Sequence, residues 1–173
     1  VNQLLAFLLA VWNGAMKLHE ELLRPVPFRS PEQEAILNLL RIGDQLENRL
    51  ERLFREHGLT LSRFNLLRNL VLAERPLACG EMGERMLQVV PAITSLVDHL
   101  EEQGLVQRER STDDRRVVHV RITDKGKRLT EETMKPLEEL EQRLLSKLKP
   151  AEVQTLIGLL DKTRASIATH HQA

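Results

Sequence analysis

Apolar side chains recur along residues 4–23 at Leu4, Leu8, Val11, Ala15, Leu18 and Leu22, in steps of three or four. That spacing predicts an amphipathic helix. Arg24-Pro25-Val26-Pro27 should end it, because proline has no N–H to continue the helix and restricts the residue before it. Ser30 and Pro31 then read as N-cap and first turn of a second helix. Its apolar face runs Ile36, Leu40, Gly43, Leu46, Leu50 and Leu53, and Gly58 should stop it. The near-heptad spacing suits a helix–helix seam, although core packing gives the same pattern.

Beyond Gly58 the predicted elements shorten. Ser62 reads as the cap of a helix carrying Phe64, Leu67, Leu70 and Val71, which ends before Arg75-Pro76. A brief extended piece at residues 77–79, a short helix over residues 81–87 and a turn through Gln88-Val89-Val90 follow. Pro91 should open the next helix, with Ile93, Leu96, Val97 and Leu100 on one face and Gly104 as its stop. The period then changes from 3.6 to 2. Residues 106–110 and 117–122 read as two strands joined by a charged loop. Thr123 should cap a helix over residues 124–148. Pro150 begins the last one, with Val153, Leu156, Ile157 and Leu160 on its inner face. The predicted class is mainly α, with a small β-hairpin wing.

Composition agrees with helix. The chain has 173 residues, 42% hydrophobic and 29% charged, and only four Phe, one Trp and no Tyr. Its net charge is zero, which at first speaks against a nucleic-acid partner, but distribution matters more than the total. Residues 106–129 hold eight basic against four acidic residues, a local charge of +4 that the rest of the chain cancels. The single Cys79 excludes an intrachain disulfide framework, suits a reducing cytoplasm and reads as a buried small hydrophobe. The apolar run near the N-terminus is too short to span a bilayer, so a cytoplasmic protein without membrane attachment is expected. The six histidines show no zinc spacing, and no phosphate loop, nucleophile elbow or spaced acid–base pair appears. Neither an enzyme nor a cofactor is expected.

Two short helices joined by a tight turn and followed by a hairpin with a basic tip form a winged helix-turn-helix. A helix fits the major groove of duplex DNA and reaches base edges there, while arginines on a hairpin reach phosphates or the minor groove. The presumed recognition helix carries Ala92, Thr94, Ser95, Asp98 and His99 opposite its apolar stripe. The hairpin supplies Arg108 and Arg110 on its first strand and Arg115 and Arg116 at its tip. A winged-helix module that binds another protein rather than DNA is the alternative, since the fold also serves that role. The basic wing favours DNA.

The ordered runs Gly104-Leu105-Val106-Gln107-Arg108, Asp113-Asp114-Arg115-Arg116 and Ile122-Thr123-Asp124-Lys125-Gly126, with Gly58-Leu59-Thr60 before them, closely resemble MarR-type regulators. The resemblance spans about residues 36–160. It implies a homodimer on a pseudo-palindromic double-stranded operator, most often a repressor released by a small phenolic or anionic effector. It also implies one MarR-like domain over residues 1–173, in which 1–57 and 124–173 dimerise and 58–123 is the DNA-binding lobe. Carried over by position, Thr94, Ser95 and His99 meet the major groove, and Ala92 on the same face is a further DNA-contact candidate. Arg108, Arg110, Arg115 and Arg116 contact DNA from the wing, with Arg116 in the minor groove and Asp114 orienting a wing arginine. Many relatives place arginine where Ser95 and His99 stand. Trp12 matches a tryptophan of urate-responsive members, but Asn65 and Ser95 replace their Asp and Arg, so urate is not the expected effector. Trp12, Arg49 and Arg52 are the effector-site candidates.

Overall fold

Residues 16–88, 92–110 and 118–170 are described by a computed structural model of the chain. Trp12 and most of the first predicted helix therefore lie outside the described residues, as do Pro91, the hairpin tip with Asp114, Arg115 and Arg116, and His171. The chain divides into two compact units, Val1–Glu51 and Arg52–Ala173.

In the first unit, α1 (Leu18–Glu21) is a single turn with Leu18 buried. It stops before the expected end at Leu23, because Leu23 turns to a positive φ of 51° just ahead of Arg24-Pro25. Phe28 gathers two side chains from before it: the His19 ring meets it edge-on at 6.3 Å, and the Arg24 guanidinium lies 4.6 Å from its centroid. The long helix α2 (Pro31–Glu56) starts as expected, with Ser30 Oγ accepting from the Gln33 amide at 3.2 Å. Arg41 of α2 donates to Glu21 of α1 at 2.6 Å. The expected apolar face of α2 is uncovered over its first half, where Ile36 and Leu40 are 57% and 65% exposed.

The second unit begins in the last turn of α2, where Leu53 and Phe54 are buried. Gly58 ends the helix at a φ of 71°, letting the Leu59 amide reach back to the Phe54 carbonyl at 2.9 Å. Helix α3 (Leu61–Ala73) follows. Its cap is Thr60, whose Oγ1 accepts from the Arg63 amide at 3.2 Å, rather than the expected Ser62. This register buries Leu61 in the first turn and sets Phe64 in a 4.5 Å stack on Phe54. After β1 (Leu77–Ala78), helix α4 (Cys79–Glu84) begins two residues before its expected start. The Glu81 carboxylate fixes that start by accepting from the Ala78 amide at 3.0 Å. Cys79 is half-buried in its first turn, not buried as expected.

Helix α5 (Ile93–Glu102) has Ala92 as its N-cap, so it begins two residues after the expected Pro91 start. Strands β2 (Val106–Arg110) and β3 (Val118–Ile122) pair antiparallel, with Val106 opposite Ile122 and Arg110 opposite Val118. Strand β1 adds to the other edge of β3, giving the order β1-β3-β2. Leu66, Leu67, Leu70, Leu77, Met82, Val97, Leu100, Val106 and Val120 form the core under this sheet.

Thr123 caps α6 (Asp124–Leu144) by accepting from the Gly126 amide at 3.1 Å. Helix α7 (Pro150–His170) closes the described chain. Of its expected inner face, Val153 and Leu156 are half-buried, while Ile157 is 46% and Leu160 37% exposed. Among the described residues, no helix is long and apolar enough to cross a membrane. Nor does any group of three or more metal-binding side chains occur among them.

Candidate nucleic-acid interface

The two short helices α4 and α5 pack against each other and against the sheet. The turn between them is tied to α3 by Asn69, whose side-chain amide donates to the Arg85 carbonyl at 2.9 Å. Glu81 locks the other end of α4. It pairs with Arg75 at 2.6 Å, and the Arg75 guanidinium together with the Ala78 amide draws its carboxyl down to about 2. On α5, Val97 and Leu100 are buried on the inner side, and Ala92, Thr94, Ser95, Asp98 and His99 are exposed. The face expected to meet DNA is thus presented to solvent.

The structure gives the wing strand a second duty. Arg108 leaves β2 and turns back onto α5, donating to Glu101 at 2.5 Å, to Asp98 at 2.5 Å and to the Thr94 carbonyl at 3.3 Å. Its own amide donates to Glu101 as well, at 2.9 Å. Burial works against the Arg108 charge, but the hydrogen bonds with Glu101 and Asp98 outweigh it and raise its pKa. The same amide and guanidinium lower the carboxyl of Glu101.

Sequence reasoning put Arg108 on DNA and Asp98 on the open face; the structure joins them to each other. The signal for it was present. Asp98 and Glu101 are three residues apart, one turn of helix, and a turn at Gly104 folds Arg108 back beside them.

Helix α5 carries Asp98, Glu101 and Glu102 and no lysine or arginine. Arg108 pairs with two of these acids and offsets one of their two charges, which lessens the repulsion of phosphates. On the hairpin, Arg121 of β3 pairs with Glu109 of β2 at 2.6 Å, which raises the arginine's pKa and lowers the carboxyl's. Arg110 is exposed at the end of β2, next to the tip residues. His99, also exposed, has its ring Nδ1 2.7 Å from the Ser95 carbonyl. Of the expected effector residues, Arg49 and Arg52 are both exposed on α2.

The turn that follows α5 packs against the start of α6, which the β2–β3 hairpin separates from it in sequence. Gly104, at a φ of 68°, sends its amide to the Glu101 carbonyl, and the Leu105 amide reaches Leu100 at 2.8 Å. The Thr123 amide donates to the Leu105 carbonyl at 3.0 Å, its hydroxyl to the Gly104 carbonyl at 2.8 Å, and Lys125 to Gln103 at 2.7 Å. Gly126 sits so close to this turn that a Cβ there would run into the Leu105 carbonyl oxygen.

Comparison with known proteins places this arrangement. The profile of the MarR family matches residues 57–117. An uncharacterised HTH-type transcriptional regulator of Bacillus subtilis, YkoM, is 32% identical over 149 residues, covering 83% of this chain and 94% of its own. The HTH-type transcriptional repressor IacR of Pseudomonas putida is 31% identical over 124 residues, covering 71% and 73%. In fold, the chain is similar to an organohalide-sensing transcriptional regulator crystallised in its 2,4-dichlorophenol-bound form. The TM-score is 0.71 at 16% identity, over 82% of this chain and 88% of that one.

Proposed function

The chain belongs to the MarR family of DNA-binding transcription regulators, and from that premise we propose that it is a homodimeric repressor of a pseudo-palindromic operator, released by a small phenolic or anionic effector. The observation that carries the reading is the exposed polar face of α5, held by α4 and the sheet beside the β2–β3 hairpin. On this reading residues 58–123 are the DNA-binding lobe, and the flanking helices of residues 1–57 and 124–173 pair two copies. Two copies place two α5 helices in successive major grooves, about 34 Å apart, which is why the operator repeats with inversion.

Ala92, Thr94, Ser95 and His99 supply contacts in the major groove, and Arg110, Arg115 and Arg116 contacts from the wing, with Asp114 orienting a wing arginine. Repression is supported by the kinship with IacR, and an aromatic effector by the dichlorophenol-bound relative of the same fold. Trp12, Arg49 and Arg52 are the proposed effector contacts, the arginines for an anionic group and the indole for a ring.

The test is a gel-shift titration against DNA upstream of the protein's own gene, with 2,4-dichlorophenol and salicylate as effector probes. A discrete shift that an effector abolishes is expected; no preference over random duplex would overturn the reading. Arg116→Ala should weaken binding and lower the slope of log affinity against log salt by about one counterion, with the melting temperature unchanged.

A further inference from the structure

We propose that His99 is a specificity-determining residue that accepts a hydrogen bond from an exocyclic amino group in the major groove, on adenine N6 or cytosine N4. The inference rests on the DNA-binding reading above and adds the chemistry of one base contact.

The geometry fixes the tautomer. His99 Nδ1 lies 2.7 Å from the carbonyl oxygen of Ser95, one helical turn earlier. A carbonyl can only accept, so Nδ1 carries the ring proton and donates it. A neutral imidazole has one N–H, and Nε2 is therefore a bare acceptor. The ring is exposed on the same face as Ser95.

The surroundings leave this acceptor as the distinctive reader on the helix. Helix α5 has no lysine or arginine, the residue types that bind the paired acceptors of guanine. Of its acids, Asp98 and Glu101 are engaged by Arg108, and Glu102 is the last residue of the helix, far from the N-terminal half that reaches base edges. Thr94 and Ser95 hydroxyls both donate and accept, and so discriminate little. An imidazole held with Nε2 bare pairs with the amino hydrogens of adenine or cytosine, and meets repulsion from guanine O6 and N7 and from thymine O4. The Ser95 carbonyl makes that choice, since the other tautomer would offer an N–H and favour guanine.

The experiment selects binding sites from a randomised duplex library, in mildly alkaline buffer, with the wild-type dimer and the variants His99→Lys and His99→Leu. Thermal melts establish that both variants are folded, as expected for an exposed position. The wild type should enrich adenine or cytosine at one position of each half-site. His99→Lys, a pure donor, should move that position to guanine, and His99→Leu should lose the preference there alone.

In the selected operator, replacing that base by its analogue without the amino group (purine for adenine, 2-pyrimidinone for cytosine) should weaken the wild type about tenfold and leave His99→Leu unaffected. The wild type enriching guanine or thymine there, or all three proteins sharing one preference, would overturn the proposal while the DNA-binding reading stands. Failure of the wild type to enrich any sequence would overturn that reading and this one with it.

Discussion

Thr123 and Gly126 show how much two side-chain choices can carry. The threonine hydroxyl caps α6 and also bonds the turn after α5, and the glycine's missing Cβ lets the two backbones touch. Gly126→Ala must move backbone rather than a flexible side chain, and should cost about 2–3 kcal/mol in urea unfolding. The Thr123 cap was legible in the sequence, but the contacts of Thr123 and Gly126 with the turn at Gly104 and Leu105 were not, because they join segments about 20 residues apart. The cap of α3 was less legible than that of α6: Thr60 and Ser62 are both capping residues, and burial of Leu61 and Phe64, a tertiary fact, decides between them. Glu81 offers a test by pH. Its carboxyl falls from 4.5 to about 2 in the folded protein, so it contributes stability above the higher value and loses it on acidification. The difference in melting temperature between wild type and Glu81→Gln should shrink as pH drops through that window and vanish below it.

At the scale of elements, the wing and the recognition helix are one assembly, because β2 sends Arg108 into the acids of α5. The helices, strands and apolar stripes of this lobe follow from periodicity, which is why most of them stand where the pattern put them. The ion pairs between elements need more than periodicity: a stripe shows which face Asp98 and Glu101 share, and only the turn at Gly104 read together with it brings Arg108 back to them. Arg108→Ala exposes two uncompensated carboxylates on α5 and should weaken operator binding by more than one phosphate contact accounts for. Adding Asp98→Asn and Glu101→Gln should restore much of the loss in the same titration, whereas a direct contact from Arg108 to DNA would leave the triple variant as weak as the single one.

For the whole molecule, the informative surface is apolar. Ile36 and Leu40 of the first unit and Ile157 and Leu160 of the second are exposed at spacings that a partner helix would cover. On α7 the apolar side chains are spread around the helix, Leu159 and Ile167 being exposed as well as Ile157 and Leu160, so the periodicity that read as an inner face did not separate one covered side from the other. If α7 pairs two copies, Leu160→Glu should yield a monomer by light scattering and reduce binding to a palindromic operator to that of a single half-site. The joint between α5 and α6 then takes on a mechanical meaning. Backbone hydrogen bonds and a glycine contact leave no slack between the end of one helix and the start of the other. A tilt of α6 would therefore carry the end of α5 with it as a lever carries its load. Bases repeat about every 3.4 Å along a strand, so on the proposed function a displacement of that size would be enough to put the reading residues of both half-sites out of step with the operator.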